Sequence, residues 1–131
     1  MADLALAASA IIAHGDKLLF VRSQRTRDNW AFPGGSREDG EALEDTARRE
    51  TKEEVGLDVE ITGELGVYRI PYPNGGGFEI TCYAAVSASE ELALEDEILE
   101  AKWLTLDEGR QLKLTSTARD ALEKYAATLE R

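Results

Sequence analysis

The chain is 131 residues long, 43% hydrophobic, and carries 26 acidic against 15 basic side chains for a formal charge of −11. That length holds one core and leaves no room for a second, so a single domain over residues 1–131 is expected. The charge argues against nonspecific nucleic-acid binding, which needs clustered cations to displace counterions from phosphates, and no apolar run reaches the roughly 18 residues of a membrane span.

The first residues are apolar and alanine-rich around Ala8-Ser9-Ala10, but they carry Asp3 and no early cation where a signal peptide needs a positive start. A first strand over residues 4–13 is therefore expected. Residues 17–22 form a second strand-like run, and His14-Gly15-Asp16 between them is a turn that makes the pair a hairpin. His14 has no partner at metal-ligand or triad spacing in its own segment and reads as a strand-end residue. Residues 23–29 are polar and arginine-bearing, hence a loop.

After Pro33, the pair Gly34-Gly35 permits a backbone turn. Leu43, Ala47, Thr51 and Val55 then recur at helical spacing, and Gly56 follows as a stop. On that helix Glu50, Glu53 and Glu54 stand at i, i+3 and i+4 and share a face. Like charges so placed cost roughly 0.2–0.5 kcal/mol per pair in an isolated helix, and folding does not require them side by side. Two explanations stand open on these residues alone. Either the i,i+4 pairs Glu44–Arg48, Asp45–Arg49 and Arg49–Glu53 balance a solvated face, or a divalent cation that prefers carboxylate oxygens reverses the cost.

Residues 59–70 and 78–86 read as two long strands joined by a Pro- and Gly-rich loop over 71–77. Residues 90–97 are acidic, 99–104 form another strand, and 117–129 form an amphipathic helix with Ala118, Leu122, Tyr125 and Leu129 on one face. Strands with two separated helices predict an α/β sandwich around a mixed sheet. Cys82 is the sole cysteine, which excludes an intramolecular disulfide and fits a reducing cytoplasm.

Gly35, five residues, Glu41, seven residues, Arg49-Glu50, two residues, Glu53-Glu54, one residue, Gly56 and Leu57 resembles the Nudix box, GX5EX7REUXEEXGU with U aliphatic. Every fixed position is filled, and the one departure is Thr51 at the first U. The resemblance implies the Nudix α/β/α sandwich and a hydrolase dependent on Mg²⁺, with Mn²⁺ as an alternative ion, that cleaves a nucleoside diphosphate linked to another moiety, X. It assigns Glu53, Glu54 and the carbonyl of Gly34 as metal ligands and Glu50 as a shared ligand or general base. Arg49 orients the glutamates, and Glu41 supports the loop. Related enzymes often use a further acidic residue outside the box; Glu97 is the candidate, with Glu95, Asp96 and Glu100 as rivals, against a plain reading of the run as solvated. Arg22, Arg25, Arg27 and Arg37 surround the box and are candidates to grip phosphates, each otherwise a surface charge. Trp30, Phe32, Tyr68, Tyr72, Phe78 and Tyr83 are base-stacking candidates, although strand aromatics are more often core.

Trp30-Ala31-Phe32-Pro33-Gly34-Gly35 resembles the small MutT-like nucleoside triphosphate pyrophosphohydrolases, which implies conversion of a (d)NTP to (d)NMP plus pyrophosphate. Pro71 and Pro73, fourteen and sixteen residues beyond Leu57, keep ADP-ribose or a nucleotide sugar open as substrate. The alternative of another class, a nucleotide sensor without catalysis, is disfavoured because no box carboxylate is missing. The expected partner is a small nucleotide, with no nucleic acid or membrane; a homodimer, frequent among small Nudix proteins, stays open.

Overall fold

The computed structural model describes residues 3–130; residues 1, 2 and 131, the ends of the expected domain, lie outside the described residues. In chain order the elements are β1 (Ala5–His14), β2 (Lys17–Ser23), β3 (Gly34–Ser36), α1 (Leu43–Val55), β4 (Val59–Pro71), β5 (Gly77–Ser87), β6 (Ile98–Leu104), α2 (Leu106–Arg110) and α3 (Ser116–Leu129).

Side chains on a strand alternate between its two faces, and in β1 and β2 both faces are apolar. Ala8, Ala10 and Ile12 of β1, with Leu19 and Val21 of β2, pack with Ala47 and Val55 of α1. Ile11 of β1, with Leu18 and Phe20 of β2, packs instead with Ala118, Ala121 and Leu122 of α3. Strands buried on both faces must be central, with a helix on each side. The sheet runs β4-β5-β1-β2-β6, with β3 added beside β1. β1 and β5 are parallel and the other pairs antiparallel, so the sheet is mixed as expected.

The expected hairpin forms but is short. β1 meets β2 only at Ala13↔Leu18 and His14↔Lys17; further back along β1 its place is taken by β3, through Ala7↔Ser36, Ala8↔Gly35 and Ser9↔Gly34. This parting of β1 and β2 brings the double glycine, expected as a turn, into the sheet as a strand.

Other details differ from expectation for identifiable reasons. Leu129 is 59% exposed, because the buried stripe of α3 runs through Ala118, Ala121, Leu122 and Ala126 and leaves Leu129 on the outer side of the last turn. The short α2 lies where no element is expected, although Thr105 and Glu108 form a capping box there, a signal written in the sequence as Thr-x-x-Glu. Gly56 does end α1, at φ 80 with its N–H on the Lys52 carbonyl. His14 is the strand-end residue expected, its Nδ1 lying 2.9 Å from the Ser87 carbonyl. Burial pushes the Cys82 thiol up to about 11, consistent with a packing role for this free cysteine. Among the described residues no helix is long and apolar enough to cross a membrane.

Thr51, the departure from the aliphatic box position, is 0% exposed, and its hydroxyl has no hydrogen-bond partner. A buried unpaired hydroxyl costs free energy that a methyl group in its place would not. Thr51→Val is expected to stabilise the fold by about 1 kcal/mol, read as a higher urea midpoint at unchanged m-value; a lower midpoint would show that the hydroxyl is satisfied.

Candidate functional site

The site is organised from inside α1 by one guanidinium. Arg49 donates from Nη2 to the Ser36 carbonyl at 2.9 Å and to Glu41 Oε1 at 3.0 Å, and from Nε to Glu41 Oε2 at 2.8 Å. Its Nη1 reaches Glu50 Oε1 at 3.0 Å and Glu53 Oε1 at 3.3 Å. Of the three i,i+4 pairs considered from the sequence, only Arg49–Glu53 forms; Arg48 pairs with Asp45 instead. Glu41 also accepts the Glu38 N–H and the Thr46 hydroxyl, and Arg49 together with these donors holds its carboxyl down at about 2. Glu41 thus ties the box loop to the helix, as the resemblance implied.

A lysine cannot reproduce this fork, because a single ammonium has no planar array of donors. Arg49→Lys is expected to lose roughly 2 kcal/mol of stability, seen as a melting temperature several degrees lower. An unchanged melting temperature would mean that these bonds are individually dispensable.

Glu54, and Glu50 a second time, are set by the double glycine. The bonds from Ala10 N–H to the Pro33 carbonyl and from Arg37 N–H to the Leu6 carbonyl fix the antiparallel ladder, so the N–H and carbonyl of Gly34 face away from β1. On that open edge the Gly34 N–H donates to Glu54 Oε1 at 3.1 Å. Gly35, one residue on, faces α1, and a Cβ there would run into the Glu50 carboxylate. Only glycine allows the approach. Glu54 is 5% exposed; burial pushes its carboxyl up to about 8, the neighbouring Glu50 and Glu97 add to the rise, and the Gly34 N–H and Arg25 oppose it.

The acidic run is docked onto this helix. Ala93 and Glu95 donate their N–H groups to the Val55 and Glu54 carbonyls, each at 2.9 Å, satisfying acceptors that a helix C-terminus leaves open. Glu97 shares with Glu54, Arg25 and Thr26 the wall of a cavity of about 20 Å³. Glu95 is raised by burial and then by Glu97, Glu53, Glu50 and Asp96. Glu100 is committed elsewhere, to Arg22 at 3.2 Å and Lys102 at 3.7 Å. Among the described residues no three His, Cys, Asp or Glu side chains converge into a ready metal cage; Arg49 engages Glu50 and Glu53 while Gly34 engages Glu54. The donor set still suits a hard divalent ion, being carboxylate oxygens and a backbone carbonyl around a buried acid that is costly to ionise without a positive partner.

Of the four arginines, Arg25 lines both this small cavity and a second, larger one. Arg22 bonds Glu100 and the Arg27 carbonyl and lies 5.7 Å from the Trp30 ring centroid. Arg27 has φ 56, and Arg37 donates to the Glu41 carbonyl. The second cavity is a cleft of about 280 Å³ on the α3 face of the sheet. Ala7, Ser9 and Ile80 form part of its wall, with Gly34-Gly35 at the box side, Tyr72 from the turn just after β4, Phe78 from the start of β5, and Ser116 and Thr117 from α3. Sequence reasoning named the two aromatics without preferring them and missed Ser9, Ile80, Ser116 and Thr117, for which no local pattern gives a signal.

A family model described as NUDIX domain matches residues 3–125. The chain belongs to the Nudix family. It is 31% identical over 119 residues to the NAD-capped RNA hydrolase NudC of Pseudomonas aeruginosa, covering 89% of this chain and 42% of that protein. It is 32% identical over 106 residues to an ADP-ribose pyrophosphatase of Methanocaldococcus jannaschii, covering 79% and 63%. This Nudix chain therefore spans under half of the first relative and under two thirds of the second. A MutT NUDIX hydrolase from Burkholderia pseudomallei superposes with TM-score 0.81 at 29% identity, over 93% of this chain and 98% of that one. The Nudix fold and the α/β class are thus those expected from the box.

Proposed function

We propose that this Nudix chain is a Mg²⁺-dependent pyrophosphohydrolase that converts a (d)NTP to the monophosphate and pyrophosphate. The observation that carries the reading is the placement of Glu54 on the open edge of β3, one turn from Glu50 on the box helix, with Arg25 lining both the small cavity that holds Glu54 and the larger cleft. Glu50, Glu53, Glu54 and the Gly34 carbonyl would hold the ion, with Glu97 as the candidate outside the box. Mg²⁺, or Mn²⁺, supplies charge neutralisation on phosphate oxygens and a more acidic water. Arg49 keeps the glutamates in register, and Arg25 is placed to steer phosphates by charge-assisted hydrogen bonds. In the reaction the water oxygen forms a new bond to phosphorus while a bridging P–O bond breaks, pyrophosphate leaves, and the proton passes to a carboxylate, for which Glu50 is the candidate.

ADP-ribose or a nucleotide sugar is the second reading, favoured by the similarity to the archaeal ADP-ribose pyrophosphatase. The full set of box carboxylates weighs against a sensor that binds without cleaving. The test is a Mg²⁺-dependent panel of (d)NTPs, ADP-ribose, NADH and nucleotide sugars, with products separated by chromatography. Pyrophosphate and monophosphate from a triphosphate are expected; AMP from ADP-ribose with silence on triphosphates would move the reading to the second substrate, and binding without turnover would move it to the sensor.

A further inference from the structure

Resting on the reading of this chain as a nucleotide hydrolase, we infer that Arg22, clamped between Glu100 and the Arg27 carbonyl, is a positioning residue. It fixes the loop over residues 23–29 and through that loop sets Arg25 beside the carboxylates, without touching substrate itself.

The loop leaves β2 at an irregularity. Arg22 pairs with Glu100 of β6, but the next pair is Ser23 with Ile98, so Leu99 is an extra residue in β6. Such a bulge bends its strand and re-aims the side chains beyond it. Ala101 and Trp103 pack toward the α1 core, and regular alternation would put Leu99 there next. The bulge puts Ile98 there instead, 7% exposed against 48% for Leu99. Past the bulge the two segments stay joined, with the Gln24 N–H donating to the Glu97 carbonyl at 2.9 Å. One end of the loop is thereby tied to the acidic run.

Arg22 ties the other end. Its Nη1 donates to the Arg27 carbonyl at 2.8 Å, while Nε and Nη2 both donate to Glu100 Oε1, at 3.4 and 3.2 Å. The guanidinium lies over the Trp30 ring, as does the ammonium of Lys102, which also pairs with Glu100. Trp30 is buried, so the clamp is seated on the core. Among the described residues Arg27 is the only non-glycine with positive φ, at 56°, a conformation that side chains with a Cβ rarely adopt. Arg22 holds the carbonyl of that residue. Between the two ties the loop closes on itself: Ser23 and Thr26 each donate a backbone N–H to the other's hydroxyl, at 2.9 and 3.2 Å, and the Arg27 N–H donates to the Ser23 carbonyl at 2.7 Å. Arg25 sits within this turn and lines the small cavity with Glu54 and Glu97.

Each of the three guanidinium nitrogens of Arg22 thus has a protein acceptor, and Arg22 lines neither the cleft nor the small cavity. Its effect on a phosphate would pass through Arg25. A misplacement of about 1 Å in a group that orients substrate can cost about 10²-fold in rate.

The experiment measures kcat and KM on a nucleoside triphosphate at saturating Mg²⁺ for the parent, Arg22→Lys, Glu100→Ala, Arg25→Gln and the Arg22→Lys, Arg25→Gln double variant. Amide hydrogen exchange by NMR is the readout that needs no turnover. Arg22→Lys keeps the positive charge and loses the planar fork. It should lower kcat/KM about 10- to 100-fold, and Glu100→Ala should do the same. In both, exchange at the Arg27 and Asn29 amides should quicken about 10-fold or more, the scale of losing a hydrogen bond to a charged donor. In the Arg25→Gln background, Arg22→Lys should cost about 2-fold or less further, because the group it positions is gone. Full activity in Arg22→Lys would show that charge suffices. Additive losses in the double variant would mean direct contact with substrate, and a lower melting temperature with unchanged kinetics would leave a structural role; each of these three overturns the inference and leaves the hydrolase reading standing. If the parent hydrolyses no nucleotide, the hydrolase reading fails and the clamp is judged by exchange alone: quickening confined to residues 23–29 supports it, and unchanged exchange overturns it.

Discussion

Glu53→Gln is expected to fold like the parent and to lose about 10²-fold or more in kcat at saturating Mg²⁺, the scale on which removal of one transition-state charge contact is felt. The side chain of Glu53 is 52% exposed and its recorded contact is the outer arm of Arg49, so nothing in the core depends on its charge. Glu54→Gln should be as inactive for a different reason. Its amide oxygen can still accept the Gly34 N–H that now reaches Glu54 at 3.1 Å, preserving the local fold while removing the buried anion. The measurements are kcat over a Mg²⁺ titration and a thermal melt of each variant. Retained kcat in Glu53→Gln would remove that residue from the metal set, and unfolding at ambient temperature would give it a structural role.

In chelator, the stability of the protein should fall as pH rises from about 5 to 8, and Glu54 should be the cause. Burial lifts its folded carboxyl to about 8 from an ordinary 4.5. Between those values the folded chain keeps a proton that the unfolded chain has released. Its contribution is complete below the lower value and is lost as pH climbs through the upper one, at about 1.4 kcal/mol per pH unit at most. Glu54→Gln should flatten this slope, and Mg²⁺ added at pH 8 should restore stability in the parent, because an ion that binds only the folded state stabilises it by mass action. A slope that persists in Glu54→Gln would place the proton on another group. Glu41 works with the opposite sign: held at about 2 by Arg49 and its other donors, it favours the fold above the ordinary carboxylate range and ceases to as pH falls toward 2.

Much of the site was legible because the box packs its information into local spacing. Glu50, Glu53 and Glu54 share a helix face for reasons of helical pitch alone, and Gly56 stops the helix because it takes φ 80 without strain. The roles of the two glycines were less accessible. That Gly35 must lack a Cβ because Glu50 presses on it is a contact between residues fifteen positions apart, created only when β3 joins β1.

The arginines show where sequence reading stops. Arg22, Arg25, Arg27 and Arg37 look alike as polar residues near the box, and packing separates them. Arg22 is drawn to Glu100 and Arg37 to the Glu41 carbonyl, while Arg25 lines both the cleft and the small cavity beside Glu54. Likewise Thr105-x-x-Glu108 is a helix start written in four residues, whereas Leu129 matches the helical period and still faces solvent.

By itself, then, the sequence determined the family, the longer strands and helices and the identities of the box carboxylates, since these depend on period, local conformation and residue type within short segments, whereas β3 and α2 emerged only in the structure. Only the tertiary structure decided that the cleft and the carboxylates lie on opposite faces of one sheet, joined by Arg25 across the edge of β3. That arrangement depends on β1 running beside β5, β3 and the end of β2 at once, a set of long-range pairings fixed by burial on both faces and encoded in no single stretch of chain.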